Sequence, residues 1–227
     1  MTARNPNKPA PAPSASLPAG PKGRPRKKQT RDERAGETRA AIFRAAAQVV
    51  GKHGYGDASI NRITEAAGIA QGTFYLYFES RQALFDELLP HVGQDMLVFI
   101  RSQVKGAANV LDMEERGFRA FFKYLQDHPG FFRILNEAEI AAPVAYLAHF
   151  KLITQHYVDA LSRGVQAGEI VNYREQELET LAYMFMAARS YLYLRYVKDA
   201  EAESGAGVTL PESVVETYMK LVRGGLS

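Results

Sequence analysis

Residues 59–78 read SINRITEAAGIAQGTFYLYF and carry the pattern of two short helices joined by a tight turn. Ser59 is placed to cap the first helix, because its hydroxyl can accept a backbone N–H of the first turn. Ile60, Ile63 and Ala67 recur on one face at helical spacing, and Gly68 permits the left-handed backbone that ends a helix. The pattern predicts a helix that ends before Gly68.

A second helix is predicted to begin near Ala70 or Gln71. Phe74 and Phe78, four residues apart, would face the core together, so the polar and aromatic side chains between them point elsewhere. A helix–turn–helix offers its second helix to a DNA major groove in this way, where Gln and Thr read base edges and Tyr hydroxyls reach phosphates. The alternative is an ordinary helical hairpin whose tyrosines cap a core.

The residues that carry a family pattern extend from about residue 37 to residue 90. Within the motif they include the Ala66-Ala67-Gly68-Ile69 turn and the run Gly72-Thr73-Phe74-Tyr75-Leu76-Tyr77-Phe78, and on its two sides Gly54-Tyr55, Ser80-Arg81 and Ala83-Leu84. Together they resemble the N-terminal domain of TetR-family transcriptional regulators. The resemblance implies DNA contacts from Gln71, Gly72, Thr73, Tyr75 and Tyr77. It also implies a phosphate contact from Arg81, where family members often carry Lys.

The first helix is predicted from Glu37 to about His53 and would carry the helix–turn–helix across the DNA backbone. Thr38 and Arg39 near its start are candidate phosphate partners, although a solvated helix end explains them equally well. Ser59 joins Thr38 as a candidate DNA contact.

The expected fold is all-α. The resemblance implies an N-terminal three-helix DNA-binding domain with a helix-turn-helix, followed by a larger helical ligand-binding and dimerisation domain. We expect a disordered basic arm over residues 1–31, the DNA-binding domain over residues 32–83 and the effector-binding and dimerisation domain over residues 84–227.

Composition narrows the function classes. The 227 residues include no cysteine, which excludes disulfides, cysteine metal sites and thiol catalysis. No apolar run approaches the roughly 20 residues that span a bilayer, and the first residues lack the apolar core of a secretory signal. Hydrolase elbows, phosphate-binding glycine loops and paired metal-ligand motifs are also missing. These observations predict a cytoplasmic protein without catalytic activity, cofactor, metal site or membrane partner.

Basic charge is concentrated at the N-terminus. The first 36 residues hold nine Lys or Arg and two acidic residues, whereas the whole chain carries a net charge of only +3. Arg24 lies in a Gly-Arg-Pro core that resembles an AT-hook, and Arg26, Lys27 and Lys28 follow it. The arginines of an AT-hook enter a narrow A·T minor groove. A basic arm that touches phosphates without sequence preference fits the same residues.

Helical spacing continues through the rest of the chain. Ser80 is predicted to cap a helix that passes Pro90 to about Ile100, with either a bend or a hinge at the proline. Asp112 is predicted to cap the next helix. Later helices are expected over residues 131–140, 143–168 and 175–197 and after Pro211, with a loop over residues 200–209.

The second domain is rich in aromatic residues, which line apolar ligand cavities in helical bundles but are more often plain core. We expect an effector pocket for a small apolar or amphipathic molecule, formed by Phe118, Phe122, Phe132, Phe150, Tyr157 and Arg189. A buried Arg189 needs a partner, and an internal carboxylate such as Glu137 or Glu139 is favoured over an anionic ligand. His149 and His156 lie seven apart without a third ligand, so a metal site is not expected.

The resulting hypothesis is a ligand-released repressor that binds a palindromic double-stranded DNA operator as a homodimer. The resemblance implies that the last two helices form the dimer interface. The helix from about residue 181 is apolar nearly all round, so more than one of its faces should be buried. The alternatives are a sequence-tolerant architectural DNA binder that relies on its basic tail, and an enzyme or small-molecule carrier.

Overall fold

A computed structural model describes residues 30–199 and 209–226, and every regular element within those ranges is a helix. The basic arm with its AT-hook-like residues and most of the predicted loop over residues 200–209 lie outside the described residues. The N-terminal helices are α1 (Arg31–Asp57), α2 (Ile60–Ala67), α3 (Gln71–Phe74) and α4 (Arg81–Val104). They are followed by α5 (Val110–Asp127), α6 (Phe131–Ala141), α7 (Pro143–Gln166), α8 (Leu178–Tyr193) and α9 (Glu212–Leu226). A single 3₁₀ turn precedes α8, which continues as a π-helical turn over Leu194–Lys198.

Helix α1 begins six residues before the predicted start at Glu37. Thr30 and Glu33 form a capping box: the Thr30 hydroxyl accepts from the Glu33 N–H at 3.2 Å, and the Glu33 carboxylate accepts from the Thr30 N–H at 2.8 Å. Such a box satisfies two N–H groups that otherwise lack partners. At the other end the helix breaks at Gly54, which has φ 82° and ψ 166°. The break falls where the sequence predicted it, and one further turn leads to Asp57.

The caps of the helix–turn–helix are confirmed. The Ser59 side chain accepts from the N–H of Arg62 at 3.3 Å, and Gly68 ends α2 in the left-handed conformation with φ 68°. Phe74 and Phe78 are both buried, and the ring of Phe78 meets that of Phe43 edge-on at 5.3 Å. These contacts hold the turn after α3 against α1.

Helix α4 connects the two halves of the molecule. Ser80 caps it as predicted, accepting from the Ala83 N–H at 3.0 Å, and the helix continues through Pro90 to Val104. The prediction for α5 is wrong by three residues: Asn109, not Asp112, is the N-cap, and its side chain accepts from the Asp112 N–H at 2.9 Å. Asp112 instead accepts from the N–H of Ala108 at 2.8 Å.

Helix α6 packs across the end of α1 and fixes how the N-terminal helices sit on the rest. Glu137 accepts from the N–H of Tyr55 at 2.9 Å, directly after the break at Gly54. Arg133 holds Glu137 at 2.8 Å and also donates to the carbonyl of Lys52 at 2.8 Å. Glu137 therefore stabilises the helix break at Gly54. It is not the partner of Arg189, which the sequence had suggested.

Candidate DNA-reading surface and effector cavity

The second helix of the helix–turn–helix presents an unburied outer side. Gln71 and Gly72 are exposed, and the turn that follows exposes 52% of Tyr75 and 81% of Leu76. Thr73 and Tyr77 are partly buried at the edges of this surface. The predicted base-reading and phosphate positions therefore lie on one accessible face, opposite the buried Phe74.

Leu76 is the most exposed large apolar side chain on this turn. Exposure of an isolated leucine on a recognition helix suits a thymine methyl. In the sequence, Leu76 stands between Tyr75 and Tyr77, which are predicted to face away from the core.

Arg81 opens α4 beside this surface and is exposed. Its guanidinium lies 5.4 Å from the centre of the Phe85 ring, and one of its Nη atoms is 3.4 Å from the carbonyl of Gly56. These contacts involve no carboxylate, so the positive charge is available to an anion such as a DNA phosphate.

Three residues nearer the start of the domain already have internal roles. The Thr38 hydroxyl donates to the Arg34 carbonyl at 2.9 Å, and the Ser59 hydroxyl caps α2. Arg39 forms an ion pair with Glu87 of α4 and lies over the rings of Phe43 and Phe78. Arg39 therefore links α1 to α4, which argues against its proposed phosphate role.

A cavity of about 330 Å³ lies between α4, α5, α6, α7 and α8. Its wall is apolar over most of its length and includes Met96, Leu97, Ile100, Met113, Phe121, Phe131, Leu135, Phe150, Ile153 and Met186. A volume in this range suits a small-molecule site.

The structure divides the six predicted pocket residues into two groups. Phe150, Tyr157 and Arg189 line the cavity, whereas Phe118, Phe122 and Phe132 do not. Phe118 stacks on Tyr218 of α9 at 4.0 Å, Phe122 packs on Phe118 at 4.9 Å, and Phe132 contacts Tyr193 at 4.5 Å.

Phe121 and Phe131, each one position before a predicted residue, line the cavity in their place. One residue along a helix rotates a side chain by about 100°, so the error is one of helical phase.

Arg189 has the internal partner that burial requires, but the partner is Glu114 of α5. Arg189 Nη2 donates to Glu114 Oε1 at 2.7 Å, and both side chains are almost fully buried. The same carboxylate accepts from the hydroxyls of Tyr157 at 2.6 Å and Tyr218 at 2.5 Å. Glu114 thus joins α5 to α7, α8 and α9.

Burial lowers the pKa of Arg189, but the charge of Glu114 and the interactions with Tyr157 and Tyr218 together outweigh burial and hold the pKa above its usual value. Burial also raises the pKa of Tyr157 and Tyr218 well above the ordinary tyrosine value. The tyrosines therefore stay protonated as donors at neutral pH, and Arg189 stays charged beside its carboxylate.

The two histidines of α7 sit at different depths along the cavity. His149 is 3% exposed, its Nδ1 has no hydrogen-bond partner, and burial lowers its pKa to about 4. His156 is partly exposed, and its Nε2 lies 2.5 Å from the guanidinium of Arg101. Burial and then the charge of Arg101 lower the pKa of His156, while Asp159 opposes them. Among residues 30–199 and 209–226, no cluster of His, Asp and Glu side chains suits a metal ion.

Comparison with known proteins identifies relatives of this chain. Residues 42–88 match the family described as "Bacterial regulatory proteins, tetR family". The HTH-type transcriptional repressor KstR2 of Mycobacterium tuberculosis is 24% identical over 197 residues, which cover 83% of this chain and 92% of that protein. The chain therefore carries the DNA-binding domain of the TetR family of bacterial regulatory proteins. A chain with this domain is a helix–turn–helix transcriptional regulator.

Two further similarities differ in extent. The Bacillus subtilis regulator YvdT is 43% identical over 65 residues, but these cover only 29% of this chain and 31% of that protein. A crystal structure of FadR from Bacillus subtilis in complex with stearoyl-CoA superposes with a TM-score of 0.67 at 17% identity, covering 83% of this chain and 99% of that one. The second similarity shows a shared fold.

Within the described ranges, none of the helices combines the length and the apolar character needed to cross a bilayer.

Proposed function

We propose that this TetR-family protein is a repressor that binds a palindromic operator as a homodimer and is released by a small apolar or amphipathic effector. The observation that carries the proposal is that α4 takes part in both sites. Its first residue, Arg81, lies beside the DNA-reading surface, and Leu97 and Arg101 line the cavity. The relative with the most extensive sequence match above, KstR2, is named as a repressor.

A homodimer is supported by the exposed apolar surface of the last helices. Met184 and Tyr191 of α8 are 61% and 73% exposed and lie seven residues apart, on one face of the helix. On α9, Leu221 is 74% exposed. Exposed apolar stripes of this kind mark interaction surfaces. A two-fold dimer would present two recognition helices to half-sites about one DNA turn apart.

The effector assignment rests on the cavity and its position. A cavity of about 330 Å³ with an apolar wall suits an aliphatic or aromatic body. A structure with the same fold is described as a complex with stearoyl-CoA. The buried ring of His149 touches α4 at Gly93, where an added Cβ would lie 2.2 Å from its Nδ1. Effector binding beside His149 would therefore act on the helix that holds the recognition surface.

The ligand can shift DNA occupancy only by binding the DNA-bound and the released conformations with different affinity. In this proposal the effector favours a dimer whose recognition helices are no longer spaced for successive major grooves. The protein would act in the cytoplasm on genomic DNA and would perform no catalysis.

Selection of bound sequences from random duplex DNA at physiological salt tests the DNA part of the proposal. The expected result is a two-fold symmetric consensus for the full-length protein. An A·T-rich pool without symmetry would support an architectural protein instead, and no enrichment would refute sequence-specific binding. A reporter placed under the selected operator then distinguishes repression from activation.

Variants on the DNA-reading surface sharpen this test. Gln71→Ala and Thr73→Ala are expected to relax sequence preference, because in this proposal their side chains read base edges. Tyr75→Phe and Arg81→Ala are expected to weaken binding to all sequences evenly, because they would lose phosphate contacts. Even loss across every sequence for the first pair would contradict their assignment as base readers.

A further inference from the structure

The cavity contains two kinds of arginine. Arg189 is buried, and its charge is balanced by Glu114 at 2.7 Å. Arg101 and Arg163 also line the cavity, yet in the described part of the chain neither has a carboxylate at ion-pair distance. The nearest polar partner of Arg101 is the Nε2 atom of His156 at 2.5 Å. A guanidinium can only donate, so that nitrogen accepts and His156 is neutral in this contact.

These unpaired charges collect at one end of the cavity. The residues of α7 that line it form a stripe at helical spacing, from His149 through Ile153 and His156 to Arg163. The stripe is buried at His149 and Ile153 and exposed at Arg163. Fourteen residues of helix span about 21 Å.

The part of helix α4 on the facing wall of the cavity also runs from a buried end to an exposed end. Gly93 of α4 touches His149, and Arg101, eight residues later, contacts His156. The two helices therefore run side by side in the same direction, and both place their arginine at the exposed end. The cavity has a closed apolar end near His149 and a basic mouth formed by Arg101, His156 and Arg163.

The acidic groups that line the cavity do not neutralise the positive charge of this mouth. Asp159 also lines it, but its Oδ1 accepts from Gln155 at 2.8 Å and it forms no ion pair. Glu114 lies inside the wall and is occupied by Arg189 and two tyrosine hydroxyls. Two arginines against one aspartate leave a net positive charge, which favours an anion.

We propose that Arg101 and Arg163, with His156, form a head-group site for the anionic end of an amphipathic effector, whose apolar part lies toward His149. The inference rests on the proposed effector function and specifies its ligand class. Arginine binds carboxylate and phosphate oxygens in pairs of parallel hydrogen bonds. Because the mouth is exposed, a large charged head group can extend into water, so a fatty acid and an acyl conjugate with a phosphate-bearing head share the required chemistry.

The choice of the exposed arginines as the anion site differs from a choice based on burial alone, which would favour Arg189. Arg189 is the most buried arginine of the cavity, but an anion placed there would have to displace Glu114 or lie beside it without water. Both arrangements cost free energy. In the first, the displaced Glu114 carboxylate loses its buried partner, and in the second, the added anion leaves a buried negative charge unbalanced. The exposed arginines bear no such cost.

Calorimetric titration of the full-length protein tests the site with four probes: dodecanoyl-CoA, dodecanoic acid, 1-dodecanol and free coenzyme A. The variants are Arg101→Gln, Arg163→Gln and the double variant. Lys151→Gln is the matched control, because it removes one exposed charge from α7 on a face that does not line the cavity.

We expect each arginine variant to weaken binding of at least one charged dodecyl probe by about tenfold or more, which is the usual effect of losing a hydrogen bond to a charged group. Binding of 1-dodecanol should not change, and Lys151→Gln should bind all probes like the wild type. Preference for dodecanoyl-CoA over dodecanoic acid would identify the phosphate-bearing head, and the reverse would identify the free carboxylate. Free coenzyme A should bind weakly, because it lacks the apolar part.

The head-group site is refuted if the double variant binds both charged dodecyl probes like the wild type, or if neither probe binds the wild type. If 1-dodecanol binds as tightly as the charged probes and releases DNA, the effector function stands and the head-group site fails. If the charged probes bind through the two arginines without changing DNA affinity, the site stands and the proposed effector function fails. Unchanged thermal unfolding of each variant confirms that the comparison is made on folded protein.

Discussion

At the scale of single residues, the side chain of Glu114 joins four helices of the effector domain. Its carboxylate accepts hydrogen bonds from Arg189 of α8, Tyr157 of α7 and Tyr218 of α9. The sequence showed that a buried Arg189 needs a carboxylate. It could not show which one, because the partner lies 75 residues away and its choice depends on how α5 is rotated against α8.

Replacing Glu114 by Gln should therefore destabilise the protein by about 3–5 kcal/mol, because it leaves Arg189 charged and buried without a counter-charge. Urea unfolding followed by circular dichroism measures the change. Glu115→Gln is the control on the same helix: its ion pair with Arg119 is 40–43% exposed, so its loss should cost about 1 kcal/mol or less. Similar losses for the two variants would contradict the role given to Glu114.

His149 makes a second prediction at this scale. Its pKa is lowered to about 4 by burial, against about 6.5 in an unfolded chain. Between these values the unfolded state binds the proton and the folded state does not, so stability falls as the pH is lowered from about 6.5 to about 4. The shift corresponds to about 3 kcal/mol at the acid end. Urea unfolding at pH 7 and pH 4.5 should show a smaller loss for His149→Gln than for the wild type, and parallel losses would contradict a neutral buried His149.

At the scale of elements, the sequence predicted the helices well because their ends carry local signals. Ser59, Gly68 and Ser80 cap their helices as expected, and Gly54 breaks α1. The start of α5 was predicted wrongly, because Asn109 and Asp112 can both act as an N-cap and the helix begins after Asn109.

Pocket membership was harder to predict than helix ends. Phe121 and Phe122 are both buried in helix α5, and only the packing of α5 against α9 decides which one faces the cavity. The basic mouth was missed for a similar reason, since Arg101 and Arg163 line the same cavity from two helices that are far apart in sequence.

The crossing of α1 and α6 gives the prediction for this scale. A Cβ added to Gly51 would lie 2.6 Å from the Cα of Gly130, so Gly51→Ala should force the two helices apart. We expect a loss of about 1–3 kcal/mol in unfolding free energy. Gly36→Ala on the same helix is the control: nothing lies within 4 Å of the added atom, and alanine should leave stability unchanged or raise it by about 0.5–1 kcal/mol. Equal behaviour of the two variants would contradict the close approach.

At the scale of the whole molecule, a basic N-terminal arm adjoins a body of net negative charge. If the folded domains supply sequence recognition, the arm adds affinity without choosing the sequence. Deleting residues 1–29 should weaken operator binding and reduce its salt dependence while the ratio of specific to non-specific affinity is kept. Fluorescence anisotropy at several salt concentrations measures both quantities. Loss of nearly all binding together with specificity would favour the architectural alternative.

The central claim is that ligand in the cavity and operator on the recognition surface oppose each other through α4. The most direct measurement is the anisotropy of labelled operator, selected as described above, during titration with dodecanoyl-CoA. We expect release from the wild type but not from Ala160→Trp, which fills the cavity, and we expect operator to weaken ligand binding by the same factor. Unchanged operator affinity at a ligand concentration that calorimetry shows to be saturating would contradict the claim.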